Sequence, residues 1–389
     1  MMKKTNKKIR EILYSFIVLA LIIVSLVLII KLNNYTKLNY SNKDVKNILA
    51  EKDIEFILTE DNEIKNVIFM LGDGMGEKHI KAAEMYKGET LNMQKIQNKC
   101  YITTNSLQGI TDSAAAATAY ATGYKTYNNI VGKDKDKKDV ENIIEYANKR
   151  GLKTGIVCTQ KINHATPAGF SVHHKYRKDY DIIANLQIES CVDLMFGGGR
   201  KYFKKYEDKM NENEFVWIND FSKLDNVTKD SRVIGTFADD TISKEKDRVS
   251  LSDMSSEAFN RLENDNGFFL LIEGSDIDSY SHKADMDKML DEMIDFDDAV
   301  LIAKEYVDNH PGTLLIVTAD HECGGLDLTG ITSAEELDDS LFTSGGEHTG
   351  VNVLLFAYGI GAEELTESEV IDNTAVNKFL KQAIKRGIE

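Results

Sequence analysis

The chain has 389 residues, 42% of them hydrophobic, and a formal net charge of −16, which allows one large α/β domain or two ordinary ones. That charge argues against nucleic acid as a partner, because a polyanion is repelled except where a basic patch or bound cations reverse the field. Cys100, Cys158, Cys191 and Cys323 lack CxxC spacing, so neither a zinc ribbon nor a redox dithiol is indicated and buried free thiols are expected.

The first element is a basic tail, residues 1–11, with Lys3, Lys4, Lys7, Lys8 and Arg10. Residues 12–31 follow as an apolar run close to the ~20 residues that cross a bilayer. It exceeds a signal-peptide core, and Lys31, Leu32, Asn33 and Asn34 offer no small-x-small cleavage pattern. The reading is one N-terminal transmembrane helix retained as an anchor. The basic flank keeps the tail cytoplasmic and sends the rest of the chain outside, which places a single-pass protein in the cell membrane. Residues 32–63 are polar, with a weak helical pattern around Val45, Ile48, Leu49 and Ile54, and read as a spacer.

From residue 64 to 389 the pattern changes to that of one folded domain. Short apolar runs recur at 67–71, 154–158, 192–196, 268–272, 314–317 and 351–357, with helical patterns such as 140–150 and 288–307 between them. This alternation predicts α/β architecture in three layers, a central mostly parallel sheet flanked by helices. The charged 133–139 run reads as a solvated loop, and 201–253 is the least legible stretch.

Ligands of open α/β sheets bind at the carboxyl ends of strands, so polar residues just after apolar runs are the first candidates. Asp73, Glu273, and the pair Asp320 and His321 stand there. Asp278 and His282 are spaced i, i+4, which on a helix puts both on one face to grip an ion. His348, in Ser-Gly-Gly-Glu-His-Thr-Gly, adds another nitrogen of the kind zinc prefers. Thr111-Asp112-Ser113 precedes an alanine-rich run ending at Gly123, so Ser113 sits at a helix N-terminus. Either Asp112 or Ser113 could cap that helix. The free amides there also suit a phosphate carried on Ser113.

With these residues in view, the chain resembles the alkaline phosphatase family. The markers, in the family's order, are Gly-Asp-Gly-Met-Gly at 72–76, Thr-Asp-Ser-Ala-Ala at 111–115, His-Ala-Thr-Pro-Ala at 164–168, Gly-Gly-Gly-Arg-Lys-Tyr-Phe at 197–203, Glu-Gly-Ser-Asp-Ile-Asp at 273–278, Thr-Ala-Asp-His-Glu at 318–322 and Glu-His-Thr-Gly at 347–350. One such string is weak evidence; the ordered set is specific. The resemblance implies hydrolysis of phosphate monoesters through a phosphoserine on Ser113. It also implies two Zn2+ ions and one Mg2+: Asp278, His282 and His348 for the first zinc, Asp73, Asp320 and His321 for the second, and Asp73, Thr166 and Glu273 for magnesium. Arg177 takes the place of the family's phosphate-binding arginine, and the resemblance alone suggests a homodimer.

Three positions depart from common family usage. His164 stands where members carry Asp or His, which makes it a modulator of the third ion site. Ser279 replaces a larger residue beside the zinc ligand, and Cys323 lies near the first zinc, outside the family's ligand positions, where a packing role is the expectation. A phosphodiesterase or sulfatase on the same metal pair is the alternative, opposed by Thr166 and Glu273 and by the lack of a Cys-x-Pro-x-Arg or Ser-x-Pro-x-Arg string. A catalytically silent phosphate-binding surface protein is the other, opposed by the intact ligand set.

Overall fold

The computed structural model describes residues 64–242 and 249–385. The tail at 1–11, the anchor at 12–31 and the spacer at 32–63 lie outside the described residues. Among those described, no helix is long and apolar enough to cross a membrane.

Among the described residues twelve strands form, in chain order β1 Asn66–Gly72, β2 Asn98–Thr103, β3 Lys153–Lys161, β4 Leu194–Gly198, β5 Phe215–Ile218, β6 Arg232–Thr236, β7 Phe268–Gly274, β8 Thr313–Ala319, β9 Glu322–Cys323, β10 His348–Thr349, β11 Val353–Gly359 and β12 Val370–Asp372. Ten of them make one sheet in the order β12-β2-β11-β8-β1-β7-β3-β4-β6-β5, and β9 and β10 pair separately. Every pairing in the large sheet is parallel except those of β11, which runs against both β2 and β8. The mostly parallel sheet expected from the apolar runs is therefore present, with one reversed strand. Of the stretch 201–253, the described residues 201–242 hold short helices together with β5 and β6 at one side of the sheet.

The central strands are covered on both faces, as continuous apolar runs require. Successive side chains of a strand point to opposite faces, and adjacent residues of β7 show it. Phe269 meets Phe170 of the Ala165–Ser171 helix, while Phe268 meets Phe259 of the Leu251–Leu262 helix and Tyr306 of the Met286–Asn309 helix. Phe69 of β1 joins the first group, packing on Tyr120 and Phe170. The result is helices, sheet, helices.

Small residues draw one helix pair together. The Ser113–Thr122 helix is alanine-rich and buried throughout, and it lies so close to the Ala165–Ser171 helix that a Cβ on Gly169 would stand 2.8 Å from the Ala117 methyl. Leu, the commoner core residue, has no room at this crossing. The helical pattern expected at 140–150 contracts to Ile143–Asn148, because Asn142 and Glu145 form a reciprocal cap that starts the helix there.

One buried carboxylate ties the Met286–Asn309 helix to the loop before β2. Asp297 is fully buried and accepts from the Asn92 and Met93 backbone N–H groups at 3.0 and 3.1 Å, from Asn92 Nδ2 at 3.0 Å and from Lys87 Nζ at 3.1 Å. Asp297→Ala would leave those donors and the Lys87 charge without their acceptor, a loss of about 3 kcal/mol. The urea midpoint should fall accordingly; an unaltered midpoint would show that the network contributes nothing.

Candidate functional site

Four neighbouring parallel strands, β8, β1, β7 and β3, end at the same edge of the sheet. Register aligns Gly72 with Ala319 and Gly274, and Leu71 with Glu273. Asp73, Asp320, His321 and Glu273 are thereby brought side by side, all fully buried. The turn after β1 needs glycine: Gly74 has φ +76, a Cβ there would lie 2.9 Å from Asp278, and its N–H donates to Asp320 Oδ1 at 3.0 Å.

Asp278 rises from the short Asp276–Ser281 helix, with His282 as its C-terminal cap. The i, i+4 reading holds in space: His282 Nε2 is 3.2 Å from Asp278 Oδ2. His348 arrives from β10, its Nε2 3.4 Å from Asp278 Oδ1 and 3.2 Å from His282 Nε2. The ring nitrogens on the far side face backbone carbonyls, His348 Nδ1 that of Thr111 at 3.0 Å and His282 Nδ1 that of Gly346. Donation from Nδ1 fixes the tautomer and turns both Nε2 lone pairs toward one point.

The sequence left the cap of the Ser113–Thr122 helix open, and the structure decides it. Asp112 Oδ1 accepts from the Ala115 N–H at 3.0 Å, so the Ser113 hydroxyl is not engaged as a cap. It lies 3.3 Å from His321 Nε2 and 3.5 Å from Asp73 Oδ1. Asp112 has a second task that sequence reading missed: its Oδ2 accepts from Arg177 Nη1 at 3.1 Å and from the Asn129 N–H at 2.9 Å. Arg177 Nη2 donates toward His164 Nε2 at 3.4 Å. His164 therefore meets the arginine through one ring nitrogen, while its Nδ1 is buried without a partner. Ser279 has its hydroxyl engaged by Gln160 Nε2 at 3.0 Å, and the same amide bonds Asp276 Oδ1 at 3.0 Å.

Burial and crowded charge shift the protonation of these groups. Burial raises Asp73 well above the carboxylate range, and the charges of Asp320, Asp278 and Glu273 push it further against Arg177. Burial carries Glu273 to about 8 despite the nearby hydroxyls of Ser275 and Thr166. It carries Asp320 to about 6, although the Gly74 N–H opposes it. Asp278 goes the other way: burial disfavours its charge, but His282 and His348 hold it well below the usual range. Burial, with His348 beside it, keeps His321 neutral.

The unpartnered atoms test whether cations belong here. Asp73 Oδ2, Thr166 Oγ1, both oxygens of Glu273, Asp278 Oδ1, Asp320 Oδ2 and His321 Nδ1 are buried with no hydrogen-bond partner, a costly state for polar atoms unless something binds them. Ligand atoms gather into two groups, Asp73, Asp320 and His321 in one, and Asp278, His282, His348 and Cys323 in the other, each within 4.8 Å. Nitrogen, carboxylate and sulfur donors suit zinc. Thr166 and Glu273 offer oxygen alone, as a harder ion prefers. The donor sets fit the ions. Cys323 is the addition: no spacing in the sequence tied it to the histidines, because only the β9–β10 pairing brings it there. All four cysteines are free thiols, three of them buried.

Residues 64–340 match the family profile described as Alkaline phosphatase. Alkaline phosphatase 4 of Bacillus subtilis is 39% identical over 291 residues, covering 68% of this chain and 63% of the relative. The chain thus spans under two thirds of that relative's length. The solved alkaline phosphatase of the Antarctic bacterium TAB5 is 34% identical, covers 83% of this chain and 98% of its own, and superposes with a TM-score of 0.75. A histidine-to-aspartate variant of the TAB5 enzyme, 33% identical over 83% of this chain and 99% of its own with a TM-score of 0.74, has magnesium bound in its M3 site.

A pH signature follows from the carboxylates. In metal-stripped protein Glu273 holds its proton up to about 8 against an ordinary 4.5, so the folded state binds more protons than the unfolded across that range and stability falls as pH rises through it. His282, raised from 6.5 to about 9 by Asp278, contributes stability that is complete below 6.5 and is lost as pH rises to about 9. Both slopes run downward. Bound cations neutralise the cluster, so the difference in unfolding free energy between loaded and stripped protein should widen from pH 5 to pH 9, by on the order of a few kcal/mol. A constant gap would contradict it.

Proposed function

This chain belongs to the alkaline phosphatase family, and from that premise we propose that it hydrolyses phosphate monoesters through a phosphoserine on Ser113, with two Zn2+ ions and one Mg2+. One observation carries the reading most: Ser113 stands at a helix N-terminus with its hydroxyl released by the Asp112 cap and turned toward His321 and Asp73. The hydroxyl can attack phosphorus while the helix amides and dipole stabilise the charge on the transferred group. When bound, the ions supply Lewis acidity to the serine oxygen and to the phosphoryl oxygens.

The residues of the chain do the positioning. Asp278, His282 and His348 would hold one zinc and Asp73, Asp320 and His321 the other, with Thr166, Glu273 and a shared Asp73 for magnesium. The magnesium of the TAB5 variant supports an ion of that kind. Arg177, 12% exposed, is held by Asp112 and His164 so that its remaining N–H groups can fork onto phosphoryl oxygens. Ser279, bonded by Gln160, adds no cation for the phosphate.

The position in the cell is part of the same proposal. The apolar 12–31 run and its basic flank support a single membrane anchor with the catalytic domain outside the cytoplasm. The full chain should stay with the membrane fraction through carbonate extraction, and protease outside intact cells should release activity. Activity found only inside sealed cells would refute that orientation.

The nucleophile is tested by trapping. Incubation with labelled phosphate followed by acid quenching should label the loaded protein on Ser113. In Ser113→Ala the label should vanish and kcat should drop about a thousandfold or more, with zinc content unchanged. Equal labelling of both proteins would remove Ser113 from the role.

A further inference from the structure

Cys323 has no part in the reaction as described, yet its sulfur lies among the atoms assigned to the first zinc. A ligand atom each of Asp278, His282 and His348 and the Cys323 Sγ all lie within 4.8 Å of one another. We propose that Cys323 is a fourth, thiolate ligand of that ion, an assignment that rests on reading the site as a metal centre.

The backbone dictates the approach. Cys323 pairs directly with His348 in the antiparallel β9–β10 ladder, and directly opposed residues put their side chains on one face. The ladder is pinned from both sides: the Cys323 N–H donates to the Gly74 carbonyl and the Gly324 N–H to the Glu347 carbonyl, each at 3.1 Å. The sulfur is buried, and its bond to the Asp278 carbonyl is long, 3.8 Å. That thiol is weakly held.

Two independent observations point to an ion at this spot. Asp278 Oδ1 is buried without a hydrogen-bond partner. The Nε2 atoms of His282 and His348 face each other at 3.2 Å, and with both Nδ1 atoms turned to carbonyls their lone pairs converge. A cation between them can replace the proton that these nitrogens otherwise hold toward Asp278. Tetrahedral zinc donors at about 2.0–2.3 Å stand roughly 3.3–3.7 Å apart, so the group closes on an ion through side-chain movements of about 1 Å.

A thiolate here changes the character of the site. It brings a second negative charge beside Asp278 and a soft donor, so the ion is held more tightly and thiophilic metals gain ground. By contrast, the group of Asp73, Asp320 and His321 has only three donors, with the Ser113 hydroxyl nearby. The first ion would be the retained one and the second the exchangeable one.

X-ray absorption at the zinc edge of the full, zinc-loaded protein reads this directly. One sulfur scatterer at about 2.3 Å is expected for every two zincs, and cobalt(II)-loaded protein should show a sulfur-to-cobalt charge-transfer band in the near ultraviolet. Both should be lost in Cys323→Ser and kept in Cys100→Ser. A fully zinc-loaded wild-type protein with only nitrogen and oxygen scatterers overturns the proposal, and this arm needs no variant to fold. If such a protein still labels at Ser113, the thiolate assignment alone has failed; if no zinc binds at all, the metal centre beneath it has failed too.

Discussion

Four buried carboxylates at one edge of the sheet, Asp73, Glu273, Asp278 and Asp320, are the constraint on which this molecule turns. Each is at least nine-tenths shielded from solvent, and taking an ionised carboxylate out of water costs several kcal/mol unless positive charge meets it. Arg177 is near, but Asp112 already engages its guanidinium. The shifts divide as this predicts: Asp73, Glu273 and Asp320 are pushed toward the protonated form, while Asp278 stays ionised by leaning on His282 and His348. Bound cations would remove the conflict, and the unpartnered oxygens are the places where they would attach.

The fold exists to hold that conflict still. β8, β1, β7 and β3 are neighbours running the same way, so their carboxyl ends converge without any long loop having to find its place. Packing of the Ser113–Thr122 helix against Gly169 sets the serine at the edge of the same cluster. Arg177 is brought in through the helix cap, so that Asp112 serves the local structure and the phosphate site at once. Local stability and site geometry are coupled through that one side chain.

Much of this was legible in the amino-acid sequence, for a physical reason. A parallel strand buried on both faces is a continuous apolar run, and the first polar residue after it is at the ligand edge; Asp73, Glu273 and Asp320 were readable on that rule alone. The edge strands β12 and β5 and their neighbours β2 and β6 were not, because strands that are short or partly exposed carry mixed sequences, as in Asn98–Thr103 and Phe215–Ile218. Nor could propensity choose between Asp112 and Ser113 as the cap. That choice depends on Asn129 and Arg177, which bind the second oxygen of Asp112 and are remote in sequence. The resemblance put Cys323 near the first zinc with a packing role, but its direct pairing with His348 could not be read from sequence, since it is set by tertiary structure.

The central claim is that the carboxylate cluster is a cation site of defined composition. Anomalous diffraction collected on both sides of the zinc edge from crystals of the loaded protein tests it most directly. Two zinc peaks are expected, one among Asp278, His282 and His348 and one among Asp73, Asp320 and His321, with a lighter ion beside Thr166 and Glu273. Crystals of active protein showing no anomalous peak at either group would contradict it.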